Sequence, residues 1–158
     1  MTPKRLFRTL AIAEAITWTL LITGLILRAT IGLDIAVSIG GGIHGFVFLA
    51  YGATAVLLAV NQRWNPGVAV VGVTSAIIPY ATIPVERWLA RSGRLEGDWR
   101  REETDDPRDK NWFDRLVRWF IRHPVLLIVA IAAAVVVLFV VLFVVLLSLG
   151  PPQLPGSE

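Results

Sequence analysis

The sequence predicts an all-α integral membrane protein: four transmembrane helices, the third kinked at prolines, plus one amphipathic helix in the membrane interface. Three observations carry that prediction. Hydrophobic residues make up 55% of the chain and charged residues 17%, against roughly 45–50% and about 25% in soluble domains. The charge is segregated, with nine of the 15 Lys and Arg and eight of the 12 Asp and Glu inside residues 91–122. Finally, four apolar stretches approach or exceed the ~20 residues that a spanning helix needs. A soluble core cannot hide so much apolar chain behind so little charge, whereas a bilayer can.

The first stretch, residues 9–27, follows Lys4, Arg5 and Arg8 and ends at Arg28. A cleaved signal peptide would also start basic and turn apolar. This run is too long for a typical signal core, contains Glu14 and lacks a clear small-x-small site after it. The second stretch, 36–60, opens on Gly40, Gly41 and Gly42, which weaken a helix, so its firm part is expected to start near Ile43. The third, 68–89, contains Pro79 and Pro84 and reads as a kinked span or a broken helix. In lipid, non-helical backbone survives only when covered by protein or facing a wet cavity. Residues 1–90 thus read as a three-span membrane domain. Residues 91–110 carry both signs of charge and few apolar anchors, and are expected to form a solvated, partly disordered loop. In 111–123, Trp112, Phe113, Leu116, Trp119 and Phe120 recur at helical spacing beside Arg115, Arg118 and Arg122, the pattern of a helix lying on a membrane surface. The fourth stretch, 124–149, is free of charge and has no period-2 alternation, so it reads as a span rather than a strand. Residues 150–158 hold three prolines and are expected to be a disordered tail.

Orientation is ambiguous on this reading. Plain alternation puts the N-terminus and the 61–66 link on one side, and the 28–35 and 91–123 connections on the other. Lys4, Arg5 and Arg8 favour a cytoplasmic N-terminus, but the basic residues of the third loop favour the opposite arrangement. A re-entrant third segment would place both basic regions inside. The preferred reading keeps the third loop cytoplasmic, facing the anionic leaflet.

Ionisable groups within a span need a partner or a use. Counted along ideal helices, Glu14 and His44 differ in depth by roughly 10 Å, so direct contact is not expected without tilt or water. Arg28 and Glu86 share a level and are the preferred ion pair, with Asp34 and Arg87 at the same surface. Glu14, Thr17, Trp18, Leu21 and Arg28 line one side of the first helix. Ser75, Pro79, Thr82 and Glu86 do the same on the third, and the two stripes should face each other or a shared cavity. Gly41 and Gly45, with Gly52 further along, form a small-residue stripe for close helix packing. His44 and Tyr51 face away from it.

The chain has no cysteine, which excludes disulfides, thiolate metal sites and Cys nucleophiles. Two histidines, His44 and His123, cannot alone build a typical zinc site. No basic patch with stacking aromatics lies outside the membrane-like segments except 111–123, so the net charge of +3 does not imply nucleic acid. No cofactor, metal or catalytic residue is expected.

Several of these residues also carry a resemblance. They are Phe7-Arg8, Ala13-Glu14-Ala15, Arg28, Ile43-His44-Gly45 with Phe48 and Tyr51, and Pro79 through Glu86-Arg87. In this order and spacing, residues 5–90 resemble the domain-of-unknown-function 3817 family of small bacterial membrane proteins. The family usually stops after three spans, so nothing carries over to the loop, the interfacial helix or the fourth span. The resemblance implies a membrane location and a buried polar pattern, without an established activity.

The expected role is that of a non-enzymatic structural or accessory subunit, multi-pass in the plasma membrane. Its partners would be the bilayer and either further copies of the chain or other membrane proteins. The alternative is an oligomeric transport or proton-linked protein with Glu14, His44 and Glu86 along its path. An intramembrane enzyme could use Ser38 or Ser75 with His44 as base. The sequence shows no nucleophile elbow, paired-carboxylate motif or metal-ligand spacing to support one.

Overall fold

The computed structural model describes residues 1–149, which are helical or irregular, with no strand among them. The tail expected at 150–158 lies outside the described residues. Helix α1, Pro3–Ile31, starts on a Thr2 cap that accepts from the Arg5 amide at 3.3 Å, with Pro3 in the first turn where its missing N–H costs nothing. It stops at Gly32, whose left-handed φ of 71° lets its amide reach the Arg28 carbonyl. Helix α2, Asp34–Asn61, runs without a break through Gly40, Gly41 and Gly42, so the expected late start near Ile43 is not seen. Lipid offers the backbone no water to bond, and helical glycines are tolerated there for that reason.

The two helices form an antiparallel hairpin in backbone contact at two glycines. A Cβ at Gly24 would lie 2.7 Å from the Ala36 carbonyl oxygen, and one at Gly40 would lie 3.0 Å from that of Leu20. The expected stripe does not make this contact: a Cβ at Gly41 would meet only Leu21 Cδ1 at 3.8 Å, one at Gly52 would meet open space, and Gly45 is half-buried. In this register residue 26 faces residue 34, so the last turn of α1 overshoots the start of α2.

The third apolar segment is not one kinked span. Helix α3, Pro66–Thr74, is capped by the Asn65 side chain and ends in a 3-10 turn, Ser75–Ile77. Helix α4, Thr82–Arg91, then runs back along α1. Trp18 donates to the Ala76 carbonyl at 3.2 Å and Thr19 meets Tyr80 at 3.3 Å, near the middle of α1. Thr82 donates to the Ala11 carbonyl at 3.0 Å, and Glu86 approaches Arg8 at 4.0 Å. The segment therefore goes halfway along α1 and returns to the end it left. The prolines explain why. Pro79 sits in the connecting turn, and Pro84 falls in the first turn of α4, where amides have no helical partner anyway. Neither interrupts a helix; they separate two. Tyr80 takes a left-handed φ of 64° to complete the reversal.

Residues 92–110, within the expected solvated loop of 91–110, are largely exposed but are anchored across this shared end of the bundle at a few points. Leu95 is wholly buried in one core with Phe7, Tyr51, Leu58 and Leu89. The Trp64 indole donates to the Arg94 carbonyl at 2.8 Å and the Trp99 indole to that of Met1 at 2.8 Å. Helix α5, Trp112–Arg122, starts on an Asn111 cap and sets Val117 and Ile121 against Leu57 of α2. Helix α6, Pro124–Leu149, leaves α5 at 109° and begins with Leu127 packed on the same cluster. Among the described residues, α1 and α2 are the two helices long and apolar enough to cross a membrane, with α5 and α6 as a bent third candidate.

Candidate functional site

Two polar clusters stand out, one inside the helical hairpin and one at its end. In the first, Glu14 and Thr17 occupy adjacent turns of the same face of α1, both buried. Thr17 Oγ1 donates back to the Glu14 carbonyl at 3.0 Å and lies 3.4 Å from Glu14 Oε2. It also sits 3.2 Å from Nδ1 of His44, which approaches Glu14 Oε2 at 3.5 Å. Glu14 and His44 are thus brought together, against the expected 10 Å offset. The overshoot of α1 by residues 27–31 accounts for about 7 Å of that offset, and side-chain reach covers the rest. The Trp18 ring covers His44, with centroids 4.4 Å apart. Glu14 Oε1 is buried without a hydrogen-bond partner.

One layer nearer the chain's N-terminal end, the Tyr51 hydroxyl donates to the Gly72 carbonyl at 3.1 Å and contacts Ser75 Oγ at 2.9 Å. Phe7 packs on the Tyr51 ring at 5.2 Å. The two expected stripes therefore meet only in part. Trp18 and Ala11 of α1 engage the returning hairpin, but Glu14 and Thr17 turn to α2, and Ser75 serves Tyr51. The expected Arg28–Glu86 pair does not form. Arg28 pairs with Asp34 at 2.9 Å, and Glu86 is carried by the reversed α4 to Arg8 at the opposite end of α1. Arg87 is exposed on the outer side of α4.

The second cluster centres on Asp109, which has no solvent exposure. Arg63 and Arg100 donate to Oδ1 at 3.1 and 2.8 Å, and Arg118 Nη1 lies 3.1 Å from the same oxygen. Thr104 supplies its amide at 2.8 Å and its hydroxyl at 2.6 Å to Oδ2. Burial alone would push this carboxyl up. The Thr104 hydroxyl and amide, the Arg63 hydrogen bond and the Arg100 charge outweigh it and hold the group well below the usual carboxylate range. Arg100 does a second task. Its Nε donates to the Asn61 carbonyl at 2.6 Å and its Nη2 to that of Val60. The end of α2 leaves the Asn61 carbonyl without a helical partner and gives that of Val60 only the Arg63 amide at 3.2 Å, and a cation there also meets the negative pole of the helix. α2 has no basic residue in its own last turn.

The sequence reading missed this cluster because a run of mixed charge is ordinarily a solvated face. It placed Arg118 beside the aromatic residues of α5, but Arg118 points inward. Trp112, Phe113, Arg115 and Trp119 are exposed on the other side of that helix, and Phe120 is half-buried. Among the described residues, no group of three or more His, Asp or Glu is placed to hold a metal ion.

Residues 4–91 match the family described as a domain of unknown function, DUF3817, and the chain belongs to it. A protein of Streptomyces coelicolor (strain ATCC BAA-471 / A3(2) / M145) whose name assigns it to the membrane is 36% identical over 93 residues. That match covers 58% of this chain and 11% of the relative, so the chain spans about a tenth of that protein's length. No solved structure matches. The chain is accordingly a membrane protein of a family without an assigned activity.

Proposed function

We propose that this chain is a multi-pass plasma-membrane protein acting as a non-enzymatic structural or accessory subunit, with α1, α2 and α6 crossing the bilayer and α3–α4 dipping in as a re-entrant hairpin. The single observation behind this reading is the use made of the buried polar groups. Tyr51, Ser75, Thr82, Thr17 and Trp18 each join one helical segment to another, which is what a scaffold needs of polar side chains in lipid. The reversal of α4 also supports a single orientation. Lys4, Arg5, Arg8 and Arg63 share one end of the bundle with every basic residue from Arg87 to Arg122, and Arg28 alone lies at the other, as the positive-inside rule asks of a cytoplasmic face.

Cysteines introduced at Pro3 and Asp105 should be labelled from the same, cytoplasmic, side, and one at Leu33 from the opposite side. Labelling of positions 3 and 105 from opposite sides would restore the plain four-span arrangement. Crosslinking in native membranes should trap the chain with a second copy or with another membrane protein. Recovery of the monomer alone defeats the subunit role.

A proton-linked oligomer is the second reading, favoured by the unpartnered Glu14 Oε1 beside His44. It requires proteoliposomes to show flux that His44→Ala abolishes. Equal behaviour of wild type and variant removes it.

A further inference from the structure

We propose that the outer face of α4 is a binding site for the headgroup of an anionic phospholipid. Thr82, Glu86 and Leu89 are buried against the bundle, which fixes the rotation of α4 and turns Ile83, Pro84, Arg87, Trp88 and Arg91 outward. With Ser92 these residues line a groove of about 520 Å³. Its chemistry is graded along the helix. Ile83 and Pro84 lie at the deep end, level with Ala11 on α1. Trp88 follows, and Arg87, Arg91 and Ser92 lie toward the end where Glu86 reaches Arg8. A phospholipid has the same order: acyl chain, interfacial glycerol region, phosphate. Tryptophan suits the middle zone.

The charge is also complementary. Arg87 and Arg91 stand one turn apart, about 6 Å along the axis, and both are exposed. Among the described residues neither has an acidic partner, while Arg63, Arg100 and Arg118 are all committed to carboxylates. The Arg94 guanidinium lies 5.1 Å above the Trp88 ring, adding a third cation beside the groove and holding the indole in place. Two unpaired guanidiniums one turn apart offer forked donors to a phosphate, and basic pockets at this level are a recurrent means of retaining anionic lipids.

The test uses the full chain reconstituted in phosphatidylcholine vesicles containing phosphatidylglycerol. Quenching of Trp88, taken as the difference between wild type and Trp88→Phe, is measured with brominated phosphatidylglycerol and with brominated phosphatidylcholine. Wild type should prefer the anionic lipid. R87Q/R91Q should lower that preference roughly thirtyfold, and each single variant about fivefold, as expected for two basic residues near a membrane surface. R115Q, on the exposed face of α5, should leave it unchanged. The single variants keep the test decisive if the double variant does not fold. Equal quenching by both lipids, or a preference unaffected by R87Q and R91Q, overturns the proposal. Displacement of the brominated lipid by inorganic phosphate at matching concentration would assign the groove to free phosphate instead, and so overturn it too.

Discussion

Glu14 and Asp109 are both carboxylic acids without solvent exposure, yet their surroundings differ in kind. Asp109 has both oxygens occupied, one by Arg63 and Arg100 and the other by Thr104 twice. Glu14 has one oxygen in loose contact with Thr17 and His44 and the other without a partner. Buried ions contribute to stability only when their remaining lone pairs are also satisfied. Asp109 meets that condition and joins three separate parts of the chain: the α2–α3 link, its own 92–111 segment and α5. Glu14 does not meet it, and its neighbours serve mainly to connect α1 with α2. The contrast separates a structural lock from a site kept partly open.

The largest effect is expected where that lock is broken. Asp109→Asn leaves three arginines facing a neutral group and should destabilise the packed 92–122 region by on the order of 3 kcal/mol, less than a fully buried pair would show, because Arg63 and Arg100 keep some exposure. Faster proteolysis within 92–122 in detergent would be the readout, and unchanged cleavage would remove Asp109 from this role.

Protonation should act in the same direction. A carboxyl held low in the folded state contributes its stability fully above the unfolded value of about 4, and the contribution fades as pH falls below that toward the folded value. Protease resistance of the region should therefore be flat from neutral pH to about pH 5 and decline only below about 4. A decline centred near neutrality would point to another group.

A smaller effect is expected at the hairpin. Gly24→Ala sets a methyl carbon 2.7 Å from the Ala36 carbonyl oxygen, and backbone cannot move aside as a side chain can. A loss of about 1–3 kcal/mol in thermal unfolding is expected, while Gly41→Ala, with its nearest neighbour at 3.8 Å, should differ little from wild type. Equal losses at both positions would mean that the helices do not meet where the register puts them.

The smallest effect is expected at the other pole of the comparison. Glu14→Gln keeps the shape of a side chain that lacks a full set of partners and should change stability by less than about 1 kcal/mol. A loss as large as that of Asp109→Asn would show that Glu14 is ionised and firmly paired after all, and the contrast would fail.

Much of this was legible in the residues. The apolar stretches mark α1, α2 and α6, the aromatic spacing of 112–120 marks α5, and Glu14, His44, Tyr51 and Glu86 stand out as polar groups in apolar surroundings. The partners of those groups were not legible. Glu86 was matched to Arg28 because a continuous third span would carry it to that end of the bundle. It lies beside Arg8 because Pro79 sits in the turn between two short helices and Pro84 in the first turn of the second, rather than within one continuous span. Gly24 went unnoticed and Gly40 was read only as weakening its helix, because each lies outside the most regular glycine spacing and only the hairpin register selects them as contacts.

Composition and hydropathy alone determine that this chain lives in a membrane as helices, since apolar backbone in lipid must satisfy its own hydrogen bonds and the helix does so within one segment. Tertiary structure alone decides that the third apolar segment turns back, that His44 meets Glu14, and that a charged stretch read as solvated is locked around Asp109. Each of these depends on which distant groups can pair at a given depth. That is set by helix register and chain reversal, which a local pattern does not encode.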